Sequence, residues 1–302
     1  MLFHEVAIEP GALECDELQI YLKASFGLNR GRFVSALPRD WINQVRRHAN
    51  ALGDENKKLR ISNLLCKSEI SSMVIDLDRG GVNKEWIKSV QEQESIRAFD
   101  AIIASSPLPI PFYTPEQVES YVVDSEIEIG HLKLTATTAV EVVIDGLRPF
   151  LLKNRCLTLV NAYQLLMTER KSKFLFQELF SYWAAHGGRD FTVICSRNNE
   201  KVKLQFEEEA VLLKKFLDRQ KFKGSFKYIA LDDSRENRLH ERYLIGTLAG
   251  IELGYGLELG AKPQSWKVLR AATHIEMKQK YMDRDVRDMY SESEYLAFIY
   301  PC

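Results

Sequence analysis

The sequence predicts a mixed α/β protein in two parts: an N-terminal α+β domain over residues 1–130 and a second domain over residues 135–302. The 302 residues are enough for two domains of ordinary size. In the second part, short apolar runs alternate with amphipathic stretches of helical length, which predicts a mixed, mainly parallel sheet with helices on both faces. The proline-rich stretch 105–111 continues neither a helix nor a strand, so we place the boundary between it and residue 135.

In the first part, a helix is predicted from Trp41 to Ala51, because Trp41, Val45 and His48 recur at helical spacing after Asp40, a residue suited to cap a helix. A second amphipathic helix is predicted over 84–97. Apolar runs predict short strands over 33–37, 72–76 and 99–104. No motif in this part indicates its role.

In the second part, apolar runs that end at polar residues or glycine predict strands over 156–160, 191–195, 226–231, 240–246 and 250–259. Helices are predicted over 136–147, 171–186 and 207–220, the first barred from extension by Pro149 and the second stopped by Gly187 and Gly188. The apolar tail 295–300 predicts either a terminal strand of this domain or a contact for a partner protein.

Composition narrows the class of protein. Hydrophobic residues make up 45% and charged residues 27%, with a net charge of −1, which is typical of a globular protein and lacks the basic excess of many nucleic-acid-binding proteins. The sequence still contains local clusters of basic residues. For binding to nucleic acid, a local basic patch matters more than the net charge of the whole chain. The five cysteines form no C-x-x-C pair, so neither a zinc knuckle nor a redox motif is predicted. Without a long apolar run or a secretory signal, we expect a cytoplasmic protein and no membrane association.

Polar residues follow the predicted parallel strands at their carboxyl ends. In open α/β sheets this edge is where ligands bind. The candidate pocket residues there are Asn161, Ser196, Arg197, Asp232 and Asp233. The alternative for each is that it caps a helix or forms a turn.

The segment from Leu239 to Tyr243 is the place where chemistry is expected. His240 and Arg242 lie two positions apart, so on a strand both side chains point to the same face. A guanidinium donates a pair of charge-assisted hydrogen bonds to phosphate oxygens, and a neutral imidazole attacks phosphorus or transfers a proton. The alternative is that both residues are simply exposed or hydrogen-bonded near a strand end.

This segment resembles the phospholipase D superfamily, whose signature is His-x-Lys-x4-Asp-x6-Gly-Ser-x-x-Asn. His240 matches the nucleophilic histidine, Arg242 stands at the phosphate-binding lysine and Gly254 matches the glycine. The other three positions differ from the signature: Thr247 for Asp, Tyr255 for Ser and Glu258 for Asn. The surrounding order of strands and helices looks like one phospholipase D-like repeat. The His-x-Arg form and the glycine-rich run after it look like divergent relatives associated with bacterial defence.

The resemblance implies a nuclease or phosphodiesterase acting on nucleic acid without a metal or other cofactor, in antiphage defence. His240 would form a phosphohistidine and Arg242 would hold the phosphate. Glu252, Gly254 and Glu258 are expected to bind substrate, and Glu252, Glu258 or Glu276 could replace the missing Asp and Asn. The alternative for each carboxylate is that it is simply a surface residue. Such enzymes need two motifs and this chain has one. An active enzyme would therefore be a homodimer that contributes His240 from each subunit.

Two other functions remain open. The altered motif positions favour a lapsed enzyme that binds nucleic acid, with Arg242 holding a phosphate without turnover. The chain could also be a structural or scaffolding subunit of a larger defence complex, with protein partners docked through the N-terminal domain.

Overall fold

The computed structural model divides the chain into two compact units, Met1–Gly130 and His131–Cys302. Across the described part of the chain, no helix is long and apolar enough to cross a membrane. His240, Asp232 and Asp233, all singled out from the sequence, lie outside the described residues. The structure describes residues 1–66, 70, 72–79, 85–126, 129–163, 165–231, 239, 242–259, 262–283 and 295–300.

The N-terminal unit is built on a four-stranded parallel sheet in the order β3-β2-β1-β4. Its strands are β1 (His4–Ile8), β2 (Arg32–Ser35), β3 (Val74–Ile75) and β4 (Ala101–Ile103). The expected α+β class is wrong for this unit. Helices follow strands along the chain, and the described pairings between the four strands are all parallel, which is the α/β arrangement.

This unit has five described helices, which are α1 (Asp16–Ser25), α2 (Trp41–Ala51), α3 (Glu55–Leu64), α4 (Trp86–Ile96) and α5 (Val118–Ser125). Helices α2 and α4 lie at the two predicted positions, and the other three were not predicted. Helix α2 has the predicted bounds, and its buried Trp41 donates a hydrogen bond to the carbonyl of Ile8 at 2.6 Å. Asp40 makes no side-chain cap, because its carboxylate instead accepts from Gln44 and Arg47.

A buried carboxylate ties the first strand of the N-terminal unit to its surroundings. Glu5 on β1 accepts two hydrogen bonds from Arg79, from Nε to Oε1 and from Nη2 to Oε2, each at 2.7 Å. Ser35 and Arg97 donate to the same carboxylate at 2.8 and 2.9 Å. The Glu5 and Arg79 side chains are both almost fully buried. Each charge therefore depends on the other, because neither is solvated by water.

The second unit contains an eight-stranded sheet in the order β12-β8-β7-β6-β9-β10-β11-β5. Its strands are β5 (His131–Leu134), β6 (Cys156–Asn161), β7 (Asp190–Ser196), β8 (Ser225–Leu231), β9 (Arg242–Gly246), β10 (Gly250–Glu252), β11 (Gln264–Val268) and β12 (Tyr295–Tyr300). Only β6–β7 and β7–β8 pair in parallel, and the other five described pairings are antiparallel. The prediction of a mainly parallel sheet is wrong, because antiparallel strands are added on both sides of the three parallel strands β6, β7 and β8.

Helices cover both faces of this sheet, as the apolar patterns predict. The helices are α6 (Val140–Lys153), α7 (Arg170–Ala185), α8 (Glu200–Gln220) and α9 (Ala271–Tyr281). On one face, Phe176 and Phe180 of α7 pack on Phe191 and Phe226 of the sheet. On the other, α9 joins a separate apolar cluster that includes Val160, Ile194 and Ile229.

Two element boundaries differ from the prediction for physical reasons. Helix α6 runs through Pro149 instead of stopping before it. The neighbouring Phe150 and Leu151 are buried, which offsets the one lost backbone hydrogen bond. Strand β10 ends at Glu252 instead of continuing to 259, because Gly254 and Gly256 adopt positive φ angles of 48° and 88° and turn the chain.

Candidate functional site

The structure brings several predicted residues to one edge of the second sheet. Strands β6, β7 and β8 run parallel, and their carboxyl ends lie at Asn161, Ser196 and Leu231. Strand β9 runs antiparallel to β6 and begins at Arg242, which pairs directly with Asn161. Opposed residues on antiparallel strands point to the same face. Arg242 therefore shares its side of the sheet with Asn161 at the edge where ligands of α/β sheets bind.

Arg242 is held in place by three contacts. Its Nη1 donates a hydrogen bond to the carbonyl of Gly254 at 2.7 Å. Its guanidinium carbon lies 5.6 Å from the ring centroid of Tyr163 and 5.9 Å from that of Tyr255, within the range of a cation–π interaction. The guanidinium is thus flanked by two aromatic rings and fixed at one nitrogen by a backbone carbonyl.

The loop after β10 is a compact turn organised by one glutamine. Gln264 on β11 accepts from the backbone amide of Tyr255 at 2.8 Å and donates to the carbonyl of Glu258 at 2.5 Å. The positive φ of Gly254 favours glycine, and a Cβ there would lie 3.1 Å from the carbonyl oxygen of Ser265. The glycine found from the motif therefore has a structural reason, and its carbonyl is the acceptor for Arg242.

Asn161 and Ser196 have buried side chains that serve the turns at the strand ends. Asn161 is only 2% exposed and accepts the amide of Tyr163 at 3.3 Å. Ser196 is 4% exposed, and its hydroxyl accepts the amide of Asn198 at 3.2 Å. The backbone amide of the half-buried Arg197 donates to the carbonyl of Leu231 at 2.7 Å. The turn-forming alternative is thus observed for Asn161 and Ser196, and direct contact of these three residues with substrate stays a prediction.

The two carboxylates expected to replace missing motif groups lie in β10 and in the loop after it. Because Glu252 pairs with Tyr243, its side chain lies on the face of the sheet opposite that of Arg242. Glu252 is exposed at the end of β10, paired with Tyr243 and Lys267 on the neighbouring strands. Glu258 is half-buried, and its backbone carbonyl is held by Gln264. Their role in binding substrate stays a prediction.

The motif's aspartate position lies at the other end of β9. Thr247 there donates to Oδ1 of the fully buried Asn154 at 3.2 Å, and Leu248 donates to the same oxygen at 2.8 Å. Nearby, Nε2 of His274 lies 2.9 Å from the carbonyl oxygen of Gly246. Burial lowers the pKa of His274 below its ordinary value. The residue at the motif's aspartate position is therefore a threonine whose hydroxyl is bonded to a buried asparagine, so Thr247 itself supplies no carboxylate.

Two residues of the site were missed from the sequence. Tyr163 was not singled out, and Tyr255 was noted only as a departure from the motif. Tyr163 is 46% exposed and Tyr255 is 50% exposed, although both contact Arg242. Their positions in the sequence could have identified them, because Tyr163 lies two residues beyond the end of β6 and Tyr255 directly follows Gly254.

A cavity of about 450 Å³ lies on the face of the second sheet next to α9, and it extends from Cys156, Asp190 and Ser225 at the starts of β6, β7 and β8 to Ile229 and Tyr295. The Cys156 thiol donates to Asp190 at 3.4 Å. Burial and this carboxylate raise the pKa of Cys156, so the thiol is not activated as a nucleophile.

Searches for a metal site and for related proteins give no further assignment. Within the part of the chain that the structure describes, no three His, Cys, Asp or Glu side chains gather in a way that would hold a metal ion. No protein-family model matches the chain, and no curated protein matches it in sequence.

Proposed function

We propose that the protein is a phospholipase D-like phosphodiesterase that cleaves nucleic acid through His240, in defence against phage. The observation that carries this proposal is the 2.7 Å hydrogen bond between Arg242 and Gly254. These residues occupy two positions of the resembled motif and lie 12 residues apart in the chain. Their contact supports treating the segment as a folded motif with a common site.

Arg242 has the chemistry of a phosphate anchor. Its guanidinium is a planar cation that presents several N–H donors in one plane. The carbonyl of Gly254 engages Nη1, and the rings of Tyr163 and Tyr255 flank the group. A side chain fixed in this way loses less conformational entropy when it binds a phosphodiester than a free arginine does.

The proposed reaction needs two histidines and no metal. The imidazole of one His240 attacks phosphorus, so a P–N bond forms as the P–O bond to the leaving strand breaks. His240 of the second subunit gives its proton to the leaving oxygen. Water then gives a proton to the second His240 and attacks phosphorus, so a new P–O bond forms as the P–N bond breaks and the phosphate end is released. Because each chain carries one motif, the active form is a homodimer with both histidines in one site.

A second candidate function is nucleic-acid binding without turnover, as a binding or scaffolding subunit of a defence complex with protein partners. It is favoured by Thr247, whose hydroxyl is bonded to Asn154 where the motif has a carboxylate. Tyr255 in place of the motif's serine also removes a hydroxyl next to the glycine. Arg242 and its neighbours would still hold a phosphate in this case.

Cleavage by the purified protein in EDTA separates the two candidates. Wild type should cut an oligonucleotide and sediment as a dimer, and His240→Ala should abolish cleavage while remaining dimeric. The matched control is His186→Ala. His186 is exposed at the end of α7 and contacts Tyr182 of the same helix, so this variant should cleave as wild type does.

Cleavage that persists in His240→Ala, or that requires an added metal, would reject the enzyme proposal. Binding without cleavage by wild type would favour the second candidate.

A further inference from the structure

We propose that the site takes an unpaired nucleic-acid strand, with one phosphodiester on Arg242 and the two flanking bases stacked on Tyr163 and Tyr255. This inference rests on the proposed function and specifies its substrate class. In a nucleic-acid strand each phosphodiester lies between two nucleosides. The site offers the same groups, with two aromatic rings that each contact one guanidinium.

The distances fit such a footprint. Each ring centroid lies within 6 Å of the guanidinium carbon of Arg242. About half of each tyrosine is exposed although both contact the arginine. An aromatic ring has two faces, so contact with the guanidinium on one side leaves a face open to a base. Stacking on tyrosine tolerates any base, because every base has a π face.

The backbone of each tyrosine is fixed by a hydrogen bond from its amide to a neighbouring side chain. The amide of Tyr163 donates to the buried side chain of Asn161 at 3.3 Å. The amide of Tyr255 donates to Gln264 at 2.8 Å. Both tyrosines therefore start from anchored turns, and only their side chains need to adjust when a base stacks.

The charge of the protein favours stacking over bulk electrostatic attraction. Duplex binding depends on neutralising many phosphates with lysine and arginine, and the chain has a net charge of −1. The described arginines at this strand edge, Arg242 and Arg197, suit one or two phosphates. Bases in a duplex are paired and stacked on each other, so they cannot reach the rings without opening the duplex.

The test is binding by His240→Ala protein, which measures affinity without cleavage. Fluorescence anisotropy compares a labelled oligothymidylate, the same strand paired with oligodeoxyadenylate, an oligouridylate and a strand of abasic sites. We expect unpaired DNA or RNA to bind at least tenfold more tightly than the duplex or the abasic strand. Tyr163→Ala and Tyr255→Ala, each added to this background, should weaken single-strand binding by roughly tenfold.

Matched variants separate stacking from loss of structure. Tyr163→Phe and Tyr255→Phe keep the rings and should bind within about twofold of the parent. Phe174→Ala removes a ring that is 55% exposed on α7 and is not one of the two rings against Arg242, and it should have no effect. The abasic strand should be insensitive to both tyrosine-to-alanine changes, because it has no bases to stack.

Duplex binding as tight as single-strand binding, or alanine variants that bind within twofold of the parent, would overturn this inference. Those results are distinguishable from failure of the proposed function. Ring-dependent binding by a protein whose wild type never cleaves would uphold the single-strand site and reject the enzyme. Cleavage of duplex that is indifferent to both tyrosines would do the reverse.

Discussion

Glu209→Gln is expected to lower the free energy of unfolding of the C-terminal unit by roughly 2–4 kcal/mol. Glu209 lies on α8 with its side chain fully buried. Its Oε1 accepts the amides of Leu166 and Met167 at 2.6 and 2.7 Å, and its Oε2 accepts the amide and hydroxyl of Thr168 at 3.0 Å. Glutamine would place an NH₂ group against donors that now meet a carboxylate oxygen, leaving a buried amide without a partner.

Burial raises the pKa of Glu209, and the amides that donate to it act in the opposite direction. Through its hydrogen bonds, the carboxylate fixes a loop that begins shortly after Tyr163 and leads into α7. Loss of these hydrogen bonds should also make Tyr163 more mobile. We expect Glu209→Gln to weaken single-strand binding as well as stability.

Urea denaturation followed by circular dichroism measures the effect, and Glu208→Gln is the matched control. Glu208 is the preceding residue on the same helix and is exposed, so its change should stay within about 0.5 kcal/mol of wild type. Equal stability of the Glu209 and Glu208 variants would show that the four hydrogen bonds contribute nothing net to the loop.

Glu5→Gln is expected to destabilise the N-terminal unit by about 3–5 kcal/mol, the usual cost of breaking a buried ion pair from one side. Arg79 would keep its charge but lose one of the two oxygens that now face Nε and Nη2. Its guanidinium also lies 3.7 Å from the ring centroid of Phe99, in a site closed to water.

Hydrogen exchange measured by mass spectrometry reads each unit separately. Peptides from β1 and β2 should exchange faster in Glu5→Gln, and peptides from β6 and β7 should not change. Asp16→Asn is the control, because the ion pair of Asp16 with Arg60 at 3.1 Å is about half exposed and should contribute under about 1 kcal/mol. Similar protection in both variants would reject a stabilising role for the buried pair.

The sequence predicts elements well where local patterns decide them. Strands β6, β7 and β8 are found from short runs of mostly apolar residues, and β12 is the terminal strand that the tail allows. Strands β5 and β11 are missed, since each has alternating exposure with polar residues and depends on pairing with the other. Local sequence patterns also do not predict which strands pair antiparallel, because that pairing depends on contacts between residues far apart in the chain.

Local sequence patterns likewise predicted only some residues of the candidate site. Motif spacing selects Arg242 and Gly254, and their contact is found in the structure. The placement of Tyr163 beside Arg242 depends on how β9 returns along β6, which no local pattern encodes. Glu209 supports this loop from 43 residues away, so its role appears only once the helix is packed.

The most direct test of the central claim is to locate the covalent intermediate. Wild type treated with EDTA is incubated with an oligonucleotide that carries radioactive phosphorus at one internal phosphate, quenched in alkali to preserve phosphohistidine, and digested to peptides. We expect a strand fragment linked through phosphorus to the peptide containing His240, and no label in His240→Ala. Label on another residue, or no label from wild type whether or not it cleaves, would rule out His240 as the nucleophile.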